Sequence, residues 1–162
     1  MMRLSTSPTA LNKRGHKVHC SEGYVFDSDK EHNFYHRFVK NCGYKYEVHP
    51  SFVLQELTKL SSTNKAKISA ISYTPDFVIF GDVGEMIHVY DVKNSFGVYG
   101  IDQSNKLRFR LFAMKYGIPV EAVVIRAHDF KTIVQGVTKP LSDKQPLIKR
   151  DFNYHWLEAT NY

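Results

Sequence analysis

The chain has 162 residues, 43% of them hydrophobic and 23% charged, a balance that excludes a disordered or fibrous polypeptide and leaves one domain with a real core. Its formal net charge of +6 favours a polyanionic partner. No apolar run nears the roughly 18 residues of a membrane span and no signal-peptide core opens the chain, so a cytoplasmic protein with no membrane partner is expected.

Residues 1–22 are polar and aperiodic, with Arg3, Lys13, Arg14 and Lys17 and no acid before Glu22. A flexible basic arm is expected there, followed by a single domain over 23–162. The two cysteines, Cys20 and Cys42, lie far apart without a Cys-x-x-Cys spacing, which points to a reduced compartment. The run His16–Cys20, HKVHC, offers half of a zinc site with Cys42 or His49, but the partner spacing of such a site is missing. The eight histidines occupy no recognised catalytic spacing and are expected at the surface or partly buried.

The stretch FDSDKEHNFYHRFVKNCG predicts a helix. Ser28 with Glu31 three residues later is a capping-box pattern, and Gly43 is the stop. Its apolar face runs through Phe34, Tyr35, Phe38, Val39 and Cys42, and Glu31 shares that stripe. A strand is expected over Tyr44–Leu54, with Pro50 marking an edge or a bend. Residues 55–67 read as a hairpin connection, and ISAISYTPDFVIF (Ile68–Phe80) as one long strand. GDVGE (residues 81–85) is a turn, and MIHVYDVKN the returning strand. After a loop with two glycines, Gln103–Tyr116 predicts a second helix, ended by Gly117 and Pro119, and VEAVVI a short buried strand. The order α-β-β-β-α-β implies an α/β fold with one central mixed sheet flanked by helices, its core over 26–125 and a C-terminal extension over 126–162.

Charges interrupt the two central strands. Asp91 and Lys93 point to one face of their strand. A turn at 81–85 puts Asp76 opposite Asp91, because the midpoint of the two positions falls between 83 and 84. Two close carboxylates repel, and burial strengthens the repulsion, so a cation belongs between them. A hard divalent ion such as Mg²⁺ suits these oxygen donors. Lys93 beside it can orient a water and offset phosphate charge.

Pro75-Asp76 followed by Asp91-Val92-Lys93 resembles the PD-(D/E)XK nuclease signature, with Asp in the D/E position. Glu31 resembles the further acid that many of these nucleases carry on their first helix. The arrangement over 26–125 resembles the restriction-endonuclease-like core, and the chain is most similar to small phage-encoded nucleases and Holliday-junction resolvases. The resemblance implies that Asp76 and Asp91 bind the metal, that Lys93 is the catalytic lysine, and that Glu31 is a metal ligand or water-positioning acid. It implies Mg²⁺, with Mn²⁺ able to substitute, and a DNA endonuclease selective for branched DNA such as four-way junctions. It further implies a homodimer, since two symmetric cuts need two sites, and the host cytoplasm for a phage-encoded chain. In that fold the second helix lies beside the site, so Lys106 and Arg110, four residues apart, are expected on phosphates, with Arg108 elsewhere on the helix. Arg14 and Lys17 would follow the DNA backbone from the arm, making binding salt-dependent.

Plainer readings stand beside these. Glu31 can simply close a capping box, Asp76 be a turn residue, and Asp91 with Lys93 be an exposed strand face where ion pairs contribute little. The basic helix can be a solvated face. The rival functions are a nuclease of the same fold acting in restriction, repair or transposon-end cleavage, a non-catalytic nucleic-acid-binding module, and a structural protein with a coincidental motif.

Overall fold

The computed structural model describes residues 16–97, 100–137 and 145–161. The hydrophobic pattern folds into an α/β arrangement with a central mixed β-sheet and two helices. In chain order the first half comprises β1 (Val18–His19), β2 (Val25–Phe26), α1 (Asp29–Phe34) continued by a π-turn over Tyr35–Val39, β3 (Lys45–Val48), β4 (Phe52–Gln55), β5 (Thr58–Lys59), β6 (Lys67–Ile68) and β7 (Ile71–Tyr73). The second half comprises β8 (Phe77–Phe80), β9 (Met86–Val92), α2 (Gln103–Tyr116), β10 (Val120–Ile125), β11 (Phe130–Gln135), β12 (Leu147–Lys149) and β13 (Thr160–Asn161).

Seven strands form the main sheet in the order β12-β11-β10-β9-β8-β3, with β13 also paired to β11. β8 and β9 are an antiparallel hairpin, Phe77 facing Tyr90 and Val78 facing Val89. Its turn is built as the sequence predicts: Gly81 N–H donates to Glu85 O at 2.8 Å, and Gly84 takes φ +86°, which a side chain would strain. β9 and β10 run parallel, a pairing that needs a crossover, and α2 supplies it.

Alternation along the strands gives each helix its own face. Phe77, Ile79, Tyr90 and Val123 pack with Phe34, Tyr35 and Val39 of the first helical segment. Val78, Val89, Ala122 and Ile133 pack with Phe109 and Phe112 of α2. Phe34 is fully buried, with its ring 5.6 Å from that of Phe77 and 5.3 Å from that of Phe130. Its truncation to alanine would cost about 3–5 kcal/mol. Among the described residues no helix is long and apolar enough to cross a membrane.

Four expectations need correction. The strand expected over Tyr44–Leu54 is two: β3 joins the main sheet, whereas β4 pairs with β7 in a separate two-stranded sheet. The break falls at His49, whose φ of +51° turns the chain before Pro50, a ring that cannot donate to a ladder. The long strand over Ile68–Phe80 is three, since β6 pairs β5, β7 pairs β4, and β8 begins only after Pro75-Asp76. Residues 18–22 do not belong to the expected arm, because β1 pairs with β2 and Cys20 is buried, and residues 1–15 lie outside the described residues. Residues 126–162 are less an extension than part of the sheet, supplying β11, β12 and β13.

Candidate functional site

Glu31 is held by its own helix start. Ser28, at the cap with φ −154°, accepts from Glu31 N–H at 3.2 Å and donates to Glu31 Oε1 at 3.1 Å, while Asp27 N–H donates to Oε2 at 3.1 Å. The cap and the core-facing acid are therefore one arrangement, not alternatives. It leaves the carboxylate buried at 7% exposure and aimed at the end of β3.

There the strand break supplies a second donor. His49 N–H donates to Asp76 O at 3.0 Å, and its Nε2 lies 3.3 Å from Glu31 Oε2 and 4.0 Å from Asp76 Oδ1. Asp76 follows Pro75, so the ladder begins one residue later, and its N–H donates to Tyr90 O at 3.0 Å. Its Oδ2 accepts from Val92 N–H at 2.6 Å, fixing the carboxylate across the strand pair. One ligand atom each from Glu31, His49 and Asp76 lies within 4.8 Å of the others.

One step along the β8–β9 register beyond Phe77 and Tyr90, Asp91 faces Asp76 as the sequence arithmetic predicts. Asp91 nevertheless lies outside the mutually close trio. Its Oδ1 is 2.6 Å from Lys93 Nζ, and its Oδ2 accepts from Tyr73 O–H at 2.8 Å. Each oxygen keeps a second lone pair, so these contacts do not remove Asp91 as a donor. Lys93 Nζ also sits 5.9 Å from the Phe109 ring centroid, clamped between α2 and its acid.

The electrostatics are lopsided. Burial, then the carboxylates of Asp91 and Glu31, push the Asp76 carboxyl well above the usual aspartate range, against the opposing pull of Val92 N–H and Lys93. Burial also pushes Glu31 up, but His49, Asp27 N–H and Ser28 outweigh it and hold Glu31 below its usual range. Tyr73, buried and facing Asp91, is pushed well up and stays a proton donor. The cluster carries more negative charge than its neighbours neutralise. Two carboxylates and an imidazole converging this closely fit a divalent cation, and the nitrogen donor makes the set more suitable for Mn²⁺ than an all-oxygen set would be.

The expected phosphate-contacting residues divide. Lys106 is half-buried on α2, three residues before Phe109 and so on the face that meets Lys93. Arg110 is exposed but backs onto Gly136, where an added Cβ would lie 3.0 Å from its Cα, just past the end of β11. Arg108 is exposed. Lys17 lies 3.7 Å from Asp27 in an exposed ion pair, and Arg14 lies outside the described residues.

Sequence reasoning missed Tyr73 as a site residue and offered His49 only as a completing residue of a zinc site, not beside Glu31 and Asp76. A histidine directly before a proline, at the point where a strand must break, was the available signal for His49. Sequence reasoning read residues 55–67 as a hairpin connection but not that the β5–β6 hairpin gathers Lys59, Lys65 and Lys67 with Ser61 and Ser62 around one surface pocket.

A family model described as a protein of unknown function, DUF1064, matches residues 12–132, and the chain belongs to that family. The matched span contains every residue of the site, from Glu31 to Lys93. No curated protein and no solved structure matches the chain.

Proposed function

We propose that the protein is a divalent-metal-dependent DNA endonuclease whose cation is held by Glu31, His49 and Asp76, with Asp91 as a further acid and Lys93 as the catalytic cation. The observation that carries this reading is the convergence of the three ligand atoms within 4.8 Å, beside an Asp91–Lys93 pair on the adjoining strand. The order α1-β3-β8-β9-α2-β10 within one mixed sheet also supports it, being the order of the PD-(D/E)XK core that the motif resembles.

A bound Mg²⁺ or Mn²⁺ supplies Lewis-acid activation of water and neutralises charge at the scissile phosphate. The chain does the positioning. Asp76 is immobilised by Val92 N–H and Glu31 by the helix cap, so neither carboxylate reorganises when it binds. Lys93 donates toward the phosphate region, and Asp91 holds it there while Tyr73 orients Asp91. Lys106 and the lysines of the β5–β6 hairpin, on the lobe that leaves the sheet at His49 and returns at Asp76, meet flanking phosphates. Branched DNA is the preferred substrate on the strength of the resemblance, with a homodimer making paired cuts.

The test is cleavage of labelled four-way junction, duplex and single-stranded DNA with Mg²⁺ or Mn²⁺, comparing wild type with Asp76→Asn. Paired junction cuts absent from the variant support the whole reading. Variant-sensitive cutting of duplex or single strands alone keeps the chemistry and discards junction resolution. Metal-independent DNA binding with no cutting of any substrate overturns the reading in favour of a non-catalytic module.

A further inference from the structure

The helix that presents Glu31 carries two histidines on another face, and they meet the segment after β1. Cys20 ends that strand in a tight turn, its N–H donating to Tyr24 O at 2.9 Å and its carbonyl accepting from Gly23 N–H at 3.0 Å. The turn directs the thiol inward, where Cys20 is buried. His32 and His36 are four residues apart and so stack on one side of the helix, their rings 4.5 Å apart edge to face. Cys20 Sγ lies 3.6 Å from His36 Nε2, and one ligand atom from each of the three residues lies within 4.8 Å of the others.

We propose that Cys20, His32 and His36 form a second metal site, for zinc, which fastens the N-terminal hairpin to the first helix. The donor chemistry separates it from the acidic site: a thiolate and two imidazoles suit a borderline-soft cation, whereas the carboxylates of Glu31 and Asp76 suit a hard one. The spacing agrees with the metal. Bonds of about 2.3 Å to sulfur and about 2.05 Å to nitrogen at a tetrahedral angle give an S···N edge of about 3.6 Å, which is the observed separation.

Water or Glu22, which lies against the thiol, would supply a fourth ligand. Glu22 Oε2 accepts from Cys20 Sγ at 2.5 Å, and its other oxygen pairs with Lys40. When the zinc–sulfur bond forms, the thiol proton leaves to solvent and this hydrogen bond is replaced. Glu22 keeps Lys40 as its partner. The sequence had suggested Cys42 or His49 as completing residues, but Cys42 Sγ exchanges contacts with the backbone of Tyr44 and His49 belongs to the acidic trio. A clip has a mechanical reason here, because β1 and β2 are only two residues each and so short a hairpin is marginal alone.

The inference is independent of the nuclease reading, and its test is kept separate from activity. The full-length protein, stripped with chelator, is titrated with Co²⁺ and followed for the thiolate-to-cobalt charge-transfer band, and zinc is then used to displace it. The expected result is one equivalent of thiolate-bound cobalt in wild type and in Asp76→Asn. His36→Ala, at an exposed position, is expected to lower zinc affinity by more than about 100-fold, and Cys20→Ser to abolish the band. Should Cys20→Ser fail to fold, His36→Ala decides. Cobalt binding with no charge-transfer band in wild type, or an unchanged zinc affinity in His36→Ala, overturns the proposal.

Discussion

Two places in this molecule set a histidine against carboxylic acids, and they treat charge in opposite ways. Within the main sheet, His88 and Glu121 are both fully buried. His88 Nδ1 lies 2.6 Å from Glu121 Oε2, and its Nε2 lies 3.0 Å from Phe152 O. A carbonyl only accepts, so Nε2 carries a hydrogen, and Nδ1 and the Glu121 carboxyl share a further proton between them. Tyr154 O–H donates to Glu121 Oε1 at 2.6 Å, and Thr132 O–H donates to it at 3.3 Å. The group is closed on all sides. At the strand ends, by contrast, His49 faces Glu31 and Asp76 with Asp91 behind them, and Asp76 is driven well above its usual range by burial and by its neighbours' charge. A satisfied polar network rigidifies a core, whereas an unbalanced one stores a demand for a cation. The first arrangement builds structure and the second is suited to chemistry.

Glu121→Ala leaves His88 buried without its acid and should cost about 3–5 kcal/mol in urea unfolding, with metal affinity unchanged. A loss below 1 kcal/mol would remove the structural half of the contrast. Asp76→Asn should do the reverse. Cleavage should fall by more than about 100-fold, since even partners behind the ligands cost 10–100-fold, while thermal stability holds or rises because a disfavoured buried charge is gone. Lower stability in that variant would show Asp76 to be structural. Mn²⁺ at 100 times its dissociation constant should raise wild-type stability by about 2.7 kcal/mol, and EDTA should reverse the gain. Asp76→Asn should show neither effect, as followed by melting temperature.

Tyr73→Phe removes one hydrogen bond to Asp91 and should lower the cleavage rate by about tenfold, the equivalent of about 1.4 kcal/mol, with little effect on cation binding. Arg126 binds Asp129 through both oxygens, at 2.5 and 2.8 Å, and holds its carboxyl below the usual range. A depressed folded-state value contributes stability above the unfolded value and loses it as pH falls through the folded one. The stability difference between wild type and Asp129→Asn should therefore be small at neutral pH and vanish in acid. A difference that grew on acidification would contradict the assignment.

The hairpin register, and with it the placing of Asp76 opposite Asp91, was legible because a five-residue turn with two glycines fixes the pairing of both strands. The second helix was legible from its Gly117 stop, which takes φ +72° as its C-cap. The breaks at Pro50 and Pro75 were visible only as prolines. Periodicity alone cannot tell a bent strand from two strands in different sheets, so His49 stayed hidden as a neighbour of Glu31 and Asp76. His88 and Glu121 are 33 residues apart and meet only because α2 returns β10 parallel to β9, which no local pattern encodes. Of the C-terminal strands, β12 and β13 are three and two residues long, too short for any alternation to register, while β11 is buried at five of its six positions and so shows none.

The segment between Pro50 and Pro75 leaves the main sheet and rejoins it at a single neck, where His49 N–H binds Asp76 O. Its base is braced on α2, since Tyr116 O–H and Lys115 Nζ both donate to Val53 O and the Phe52 ring meets those of Phe112 and Tyr116. Its tip is the lysine-bearing β5–β6 hairpin. The segment is held at three places, the brace on α2, the Tyr73–Asp91 hydrogen bond and the neck, and the neck is made of two of the residues that converge on the acidic site. A displacement of this segment relative to the sheet therefore reaches the acidic site directly, through the His49–Asp76 neck and through Tyr73 on Asp91.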